Sequence, residues 1–167
     1  MVDREQIERA GELVVQTRHV ALATVNQDGT PHNSPLFFIY SSDFSKVYWG
    51  SHPDSLHSQN IQRTQNGYMV VYDSHGWGLG GMYITLKNAH RTEGDELAEA
   101  VGALNARRKH FDLEPFDPKQ YGTEGGQAMY TADVAKVEIY GYEKDKQGNI
   151  LKEGRIAIEQ KDLAASE

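Results

Sequence analysis

Three polar residues within seven positions are the first feature of this chain that suggests chemistry. Ser51, Ser55 and His57 follow Gly50 and flank the expected start of a helix. The free N–H groups and dipole of a helix N-terminus attract phosphate, and serine hydroxyls with an imidazole add hydrogen bonds to an anion. Ser51 or Ser55 could equally be an ordinary helix cap, and the residues alone leave both roles open. The other candidates are weaker. Seven histidines, among them His52, His57 and His75, show no metal-ligand spacing, so they read as surface or hydrogen-bonded groups and no metal is expected. Gly76-Trp-Gly78-Leu-Gly-Gly81 fits the dinucleotide fingerprint by letter, but a strand is expected after it where the fingerprint needs a helix. It reads as a flexible glycine loop able to cover a ligand. Arg107-Arg108-Lys109 suits the last turn of a helix, with an anionic ligand across a dimer as the other use. No nucleophile elbow, P-loop or paired-acid dyad is present.

Composition narrows the setting. The 167 residues carry a net charge of −7, which argues against a duplex nucleic-acid partner. There is no cysteine, which removes disulfides and thiol catalysis. No apolar run reaches the length of a membrane helix, and the N-terminus lacks the pattern of a secretory leader. The expectation is a cytoplasmic protein with no membrane partner. Sixteen glycines and nine tyrosines suit strands joined by tight turns.

The elements that must position the candidate residues follow from periodicity. Ile7, Ala10, Leu13 and Val14 recur at helical spacing in an expected helix 3–17, with Asp3 and Gln6 as a capping box. Residues 20–25 form a strand, Asp28-Gly29 a hairpin turn, and residues 30–40 the returning strand. On that strand His32, Ser34, Leu36, Phe38 and Tyr40 share one face, and Pro35 marks an edge or bulge. Residues 46–51 form a third strand. Pro53 and Asp54 open a short helix to about Thr64, and strands at 68–72 and 82–91 flank the glycine loop. Thr92 and Asp95 suggest a cap for a helix 93–111, residues 113–128 read as irregular, and a hairpin closes the chain over 134–160 before a frayed tail from Lys161. Consecutive hairpin-linked strands in one domain of this size point to an antiparallel barrel.

Several stretches, taken in order, resemble the pyridoxamine 5′-phosphate oxidase-like family of FMN-binding split barrels. They are Ala21-Leu-Ala-Thr-Val25, Asp28-Gly29-Thr-Pro31, the Pro35-Leu-Phe-Phe38 strand and Val47-Tyr-Trp-Gly-Ser51. Ser55-Leu-His57-x-x-Asn60-Ile61, Gly67-Tyr-Met-Val-Val-Tyr-Asp73 and Gly81-Met-Tyr-Ile84 complete the set. The resemblance implies a mainly β fold, a six- to seven-stranded antiparallel split β-barrel with its core over 20–91, in one domain over 1–167. It also implies a homodimer with FMN between subunits. By position, Ser34, Pro35 and Leu36 would line the flavin ring, partly through their backbone. Gly50 and Ser51 would lie beside the ring or ribityl chain, Ser55 and His57 would face the phosphate, and Gly81 and Tyr83 would approach the ring from a neighbouring strand. Where the oxidase has an arginine this chain has Ser34, and Leu56-His57 stands where the oxidase has a basic pair. The implied activity is hydride transfer between a small substrate, or NAD(P)H, and the flavin. The alternative is a non-catalytic module that carries or senses flavin or haem, with a deazaflavin as a further cofactor option.

Overall fold

The computed structural model describes residues 4–72, 81–121 and 126–164. The proposed cap residue Asp3, His75 and the first five residues of the glycine motif, positions 76–80, lie outside them.

The chain runs α1 (Arg4–Gln16), β1 (His19–Val25), β2 (Pro31–Phe37), β3 (Ile39–Tyr40), β4 (Lys46–Ser51), α2 (Leu56–Thr64), β5 (Gly67–Val71), β6 (Met82–Arg91), α3 (Gly94–His110), β7 (Ala128–Lys144), β8 (Ile150–Ile158) and α4 (Gln160–Ala164). A short 3-10 turn, Pro118–Gln120, lies between α3 and β7. The named strands all pair antiparallel, in the order β2-β1-β5-β6-β7-β4-β3, with β8 added on β7.

The two ends of that path, β2 and β3, are consecutive in the chain and separated only by Phe38. The stretch pairs first with β1 and then, past Phe38, with β4, so the sheet curls into a split barrel. At the kink the Phe38 N–H donates to the Arg18 carbonyl (3.0 Å). The β1–β2 hairpin turns where Asp28-Gly29 predicts it. The Asp28 carboxylate accepts from Thr30 N–H and Oγ at 3.0 and 2.6 Å, and the Asn26 N–H closes the turn on Thr30 O (2.9 Å).

Strand alternation divides the apolar residues between two cores. Val20, Leu22, Leu36, Phe38, Val47, Trp49, Met69, Ile84 and Val137 fill the barrel lumen. Tyr48, Ile39 and Met129 point outward under α3, against Ala100, Val101 and Leu104. Burial of each large side chain of this kind contributes about 1.5–3 kcal/mol. Ile61 of α2 joins the lumen core, so α2 stoppers one end of the barrel. Buried Asn60 fixes it there by donating to Thr24 Oγ (3.1 Å) and Asn26 Oδ1 (2.9 Å) at the end of β1.

Four local expectations are corrected. β7 begins at Ala128, the last residue of the stretch read as irregular and ahead of the strand start expected at Val134, and runs 17 residues. Its first half is buried on both faces, against the lumen and against α3, which removes the alternation that reveals a strand. The tail does not fray at Lys161: α4 folds back and Leu163 enters the lumen core. α2 starts at Leu56 rather than Pro53. The Thr92 cap does not form either, because α3 begins after Glu93 and the buried Thr92 hydroxyl donates to Met129 O (3.0 Å), tying the helix entry to β7. Among the described residues, no helix is long and apolar enough to cross a membrane.

Candidate functional site

β2 and β4 are not hydrogen-bonded to each other; the split of the barrel runs between them. Ser34 on β2 and Ser51 on β4 face each other across this seam, and the first turn of α2 inserts His57 between them. The His57 ring bridges the gap: Nδ1 is 3.0 Å from Ser34 Oγ and Nε2 is 2.6 Å from Ser51 Oγ. Ser55 Oγ approaches Nε2 at 3.2 Å and Ser51 Oγ at 2.9 Å. On the far side, His32 Nε2 lies 3.0 Å from Ser34 Oγ, and the His32 and His57 rings stack nearly parallel with centroids 6.4 Å apart. The structure thus brings together Ser34, Ser51, Ser55 and His57, and adds His32 and buried Ser58, whose hydroxyl is 2.8 Å from that of Ser55. His32 shares a strand face with Ser34 by simple alternation, a signal readable in the sequence but assigned no role there.

The serines are not spent on helix capping. Ser55 is the N-cap residue of α2 but makes no side-chain bond to the first-turn amides; its hydroxyl reaches the His52 carbonyl instead (2.8 Å). The N-terminus of α2 therefore opens onto the hydroxyl cluster with its amides uncapped by Ser55. His57 is 9% exposed, and burial, followed by the neighbouring His32, holds its pKa below the usual histidine value. Both effects favour the neutral ring. This is a cradle of hydroxyl donors with one polarisable base, able to take an oxyanion.

Other expected site residues lie elsewhere. Leu36 is in the lumen core, and Pro35 is exposed on the outer face of the barrel. Gly50 faces α3 rather than the seam: a Cβ there would stand 2.6 Å from the Tyr121 hydroxyl, so the missing side chain makes room for that buried tyrosine. Gly81 is buried at the start of β6. Tyr83 points outward, in one row with Pro35, Ala21 and Val70 across β2, β1, β5 and β6. Three strand spacings separate Pro35 from Tyr83, about 14 Å. The Arg155 guanidinium covers the Tyr83 ring at 3.9 Å and donates to Tyr68 Oη (2.7 Å).

Arg107 stands in the last turn of α3, as expected, but its guanidinium serves another helix. It is buried, and its guanidinium donates to the carbonyls of Val14 (2.8 Å), Val15 (2.9 Å) and Thr17 (2.7 Å), capping the end of α1. It also lies 4.8 Å from the centroids of both Tyr40 and Phe111. Beside it, between α3 and the β3–β4 turn, is a cavity of about 780 Å³, distant in the fold from the seam. There Tyr48 Oη donates to Glu99 at 2.5 Å, and burial first, then Glu99, raise the phenol pKa far above its usual value. Among the described residues, no group of three or more His, Asp or Glu could hold a metal ion.

No family model and no curated protein matches the chain. Solved structures do. A Clostridium acetobutylicum protein, related to general stress protein 26 of B. subtilis and of the pyridoxinephosphate oxidase family, superposes with a TM-score of 0.63 at 12% identity, covering 97% of this chain and 99% of that one. A haem-binding protein from Mycobacterium smegmatis gives a TM-score of 0.63 at 20% identity; the match covers 99% of this chain and 61% of that one, so this chain spans under two thirds of its length. An F420 reductase gives 0.55 at 15% identity, covering 75% and 93%. What these proteins share with this chain is an architecture, the split β-barrel.

Proposed function

We propose that the chain is an FMN-binding oxidoreductase that holds the cofactor's phosphate in the Ser51–Ser55–His57 cradle and works as a homodimer. One observation carries the reading: the N-terminus of α2, uncapped by the Ser55 side chain, meets three converging polar side chains at the seam of the barrel. The residues fit a phosphate ester by their chemistry, being hydroxyls, an imidazole and helix amides. They suit haem iron poorly, since both ring nitrogens of His57 are engaged by serines.

Bound FMN would supply hydride-transfer chemistry between a small substrate, or NAD(P)H, and the flavin. The chain's own residues would bind and orient. Ser51, Ser55 and the first amides of α2 hold the phosphate, and the β2 backbone at Ser34, Pro35 and Leu36 lies beside the ring system. The row Pro35–Ala21–Val70–Tyr83 offers a smooth face of mostly small side chains, with exposed Tyr72 near its edge, which supports its burial against a second copy. Tyr83 lies on the outer face of the barrel in that row, where a second copy would bring it to a flavin.

The test is the absorption spectrum and mass of the purified protein, followed by FMN titration with light scattering. The reading expects a dimer that quenches FMN fluorescence stoichiometrically and oxidises NAD(P)H when loaded. A monomer indifferent to FMN overturns it. Preferential saturation by a deazaflavin would reassign the cofactor, and tight FMN binding without turnover would make the chain a carrier or sensor.

A further inference from the structure

We propose that His57 is the residue that recognises the phosphate, and that it does so by taking up one proton as the phosphate binds. The inference rests on the FMN reading above and concerns how the same cradle discriminates charge.

Among the described residues, the cradle has no fixed cation. The groups facing His57 are Ser34 and His32 from β2, Ser51 from β4, and Ser55 and Ser58 from the start of α2. On the β4–α2 turn stand His52 and exposed Asp54, with His52 Nδ1 3.6 Å from the Asp54 carboxylate. The nearest arginine on α2, Arg63, reaches away to the Val25 carbonyl. β1 contributes only Thr24, through Asn60. A phosphate monoester carries about 1.5–2 negative charges at pH 7. Hydroxyls and amides alone would leave that charge uncompensated at the mouth of a buried seam.

The hydrogen-bond chain shows where a proton can go. The chain of hydrogen bonds can run in two directions, and we take the one that leaves His57 Nε2 without a proton. His57 Nδ1–H donates to Ser34, the Ser34 hydroxyl donates to His32 Nε2, and the Ser51 hydroxyl donates to His57 Nε2 across the 2.6 Å contact. The Ser55 proton is directed to the His52 carbonyl. Nε2 is then the unprotonated nitrogen of His57, and it lies beside the two serines that would meet the ligand. When phosphate enters, the Ser51 hydroxyl turns toward it, Nε2 accepts a proton from solvent, and the new N–H donates to a phosphate oxygen. Nδ1–H stays on Ser34, so the ring keeps its orientation. An opposite charge within about 4–6 Å raises a histidine pKa by about 1–3 units, enough to reverse the lowering caused by burial and by His32. Proton uptake and phosphate binding are then linked, and each strengthens the other.

The test is FMN affinity measured by fluorescence quenching between pH 6.5 and 8, with riboflavin and inorganic phosphate as parallel probes. Linkage predicts that the wild-type FMN Kd weakens by roughly tenfold over this range while the riboflavin Kd stays flat. Calorimetry in two buffers of different ionisation enthalpy, near pH 7, should show close to one proton taken up per FMN. His57→Arg places a permanent charge there and should bind FMN with a nearly flat pH profile; circular dichroism checks its fold, and the two-buffer measurement on the wild type stands without it. FMN bound over riboflavin with no pH slope and no proton uptake overturns the proton linkage and leaves the FMN reading intact. An unchanged slope in His57→Arg overturns the assignment to His57. Absence of binding by both FMN and inorganic phosphate overturns the two together.

Discussion

Arg107→Met tests whether the buried guanidinium is a structural cap or a ligand-binding cation. The substitution keeps much of the aliphatic volume and removes the charge. Three short hydrogen bonds to the Val14, Val15 and Thr17 carbonyls are lost, along with the stacking on Tyr40 and Phe111. A hydrogen bond to a charged group is worth about 1.5–3 kcal/mol. The Val14 contact is fully buried; those to Val15 and Thr17 are partly exposed, so water replaces some of their value. The expected net loss is about 3–5 kcal/mol, and for a domain of this size each kcal/mol lowers Tm by about 2–4 °C, so a drop on the order of 10 °C is predicted. Urea unfolding should show a lower midpoint with an unchanged m-value. Arg107→Lys should recover only part of the loss, because one ammonium cannot follow three diverging carbonyls. FMN affinity of the folded variant should stay within about twofold. A variant of wild-type stability that has lost FMN would refute the reasoning and make Arg107 a ligand residue.

Other perturbations bear on the frame around the site. Gly141→Ala would put a Cβ 2.2 Å from Gln6 Oε1, breaking the paired bonds of the Gln6 amide with Tyr142 N (2.8 Å) and O (2.9 Å); a loss of about 2 kcal/mol is expected, and a double-mutant cycle with Gln6→Ala should show coupling, whereas strict additivity would contradict the contact. Asp43, held to a pKa of about 2 first by Ser41 and then by the Ser45 amide and hydroxyl, is depressed in the folded state; it contributes stability above the ordinary carboxylate range that is lost as pH falls toward 2, and Asp43→Asn should flatten that part of the acid-unfolding profile. His57 acts with the same sign for the free protein, because its lowered pKa means the unfolded chain binds more protons below about pH 6.5; His57→Gln should reduce the loss of stability on acidification through that range, and an identical pH profile would argue against a neutral buried ring.

The fold was largely legible where signals are local. Asp28-Gly29 between alternating strands needs no tertiary context, and the shared face of His32, Ser34, Leu36, Phe38 and Tyr40 survives the kink at Phe38. The spacing of Ser51, Ser55 and His57 marked a candidate cluster from residue types alone, while Ser34 entered only through the family resemblance. What joins Ser34 and His32 to that cluster is the closure of the barrel, a contact between residues more than twenty positions apart that no local pattern encodes. Arg107 shows the opposite failure: a basic last turn is a sound local reading, but the end of α1 arrives from ninety residues away and buries it. The first half of β7 was hidden because a strand covered on both faces has no alternation to see. Tyr121 was hidden for a related reason, since the irregular stretch before β7 gave no sign that it would fill the space beside Gly50.

The central claim is that the Ser51–Ser55–His57 cradle holds a phosphate, and the ratio of riboflavin to FMN dissociation constants measures it most directly. The two ligands share the ring and ribityl chain and differ by the phosphate. Hydrogen bonds to a charged group imply a ratio of at least about tenfold for the wild type at pH 7, lowered but not abolished in Ser51→Ala/Ser55→Ala, where His57 and the helix amides remain. Equal affinities in the wild type, or a ratio unchanged in the double variant, would contradict the account.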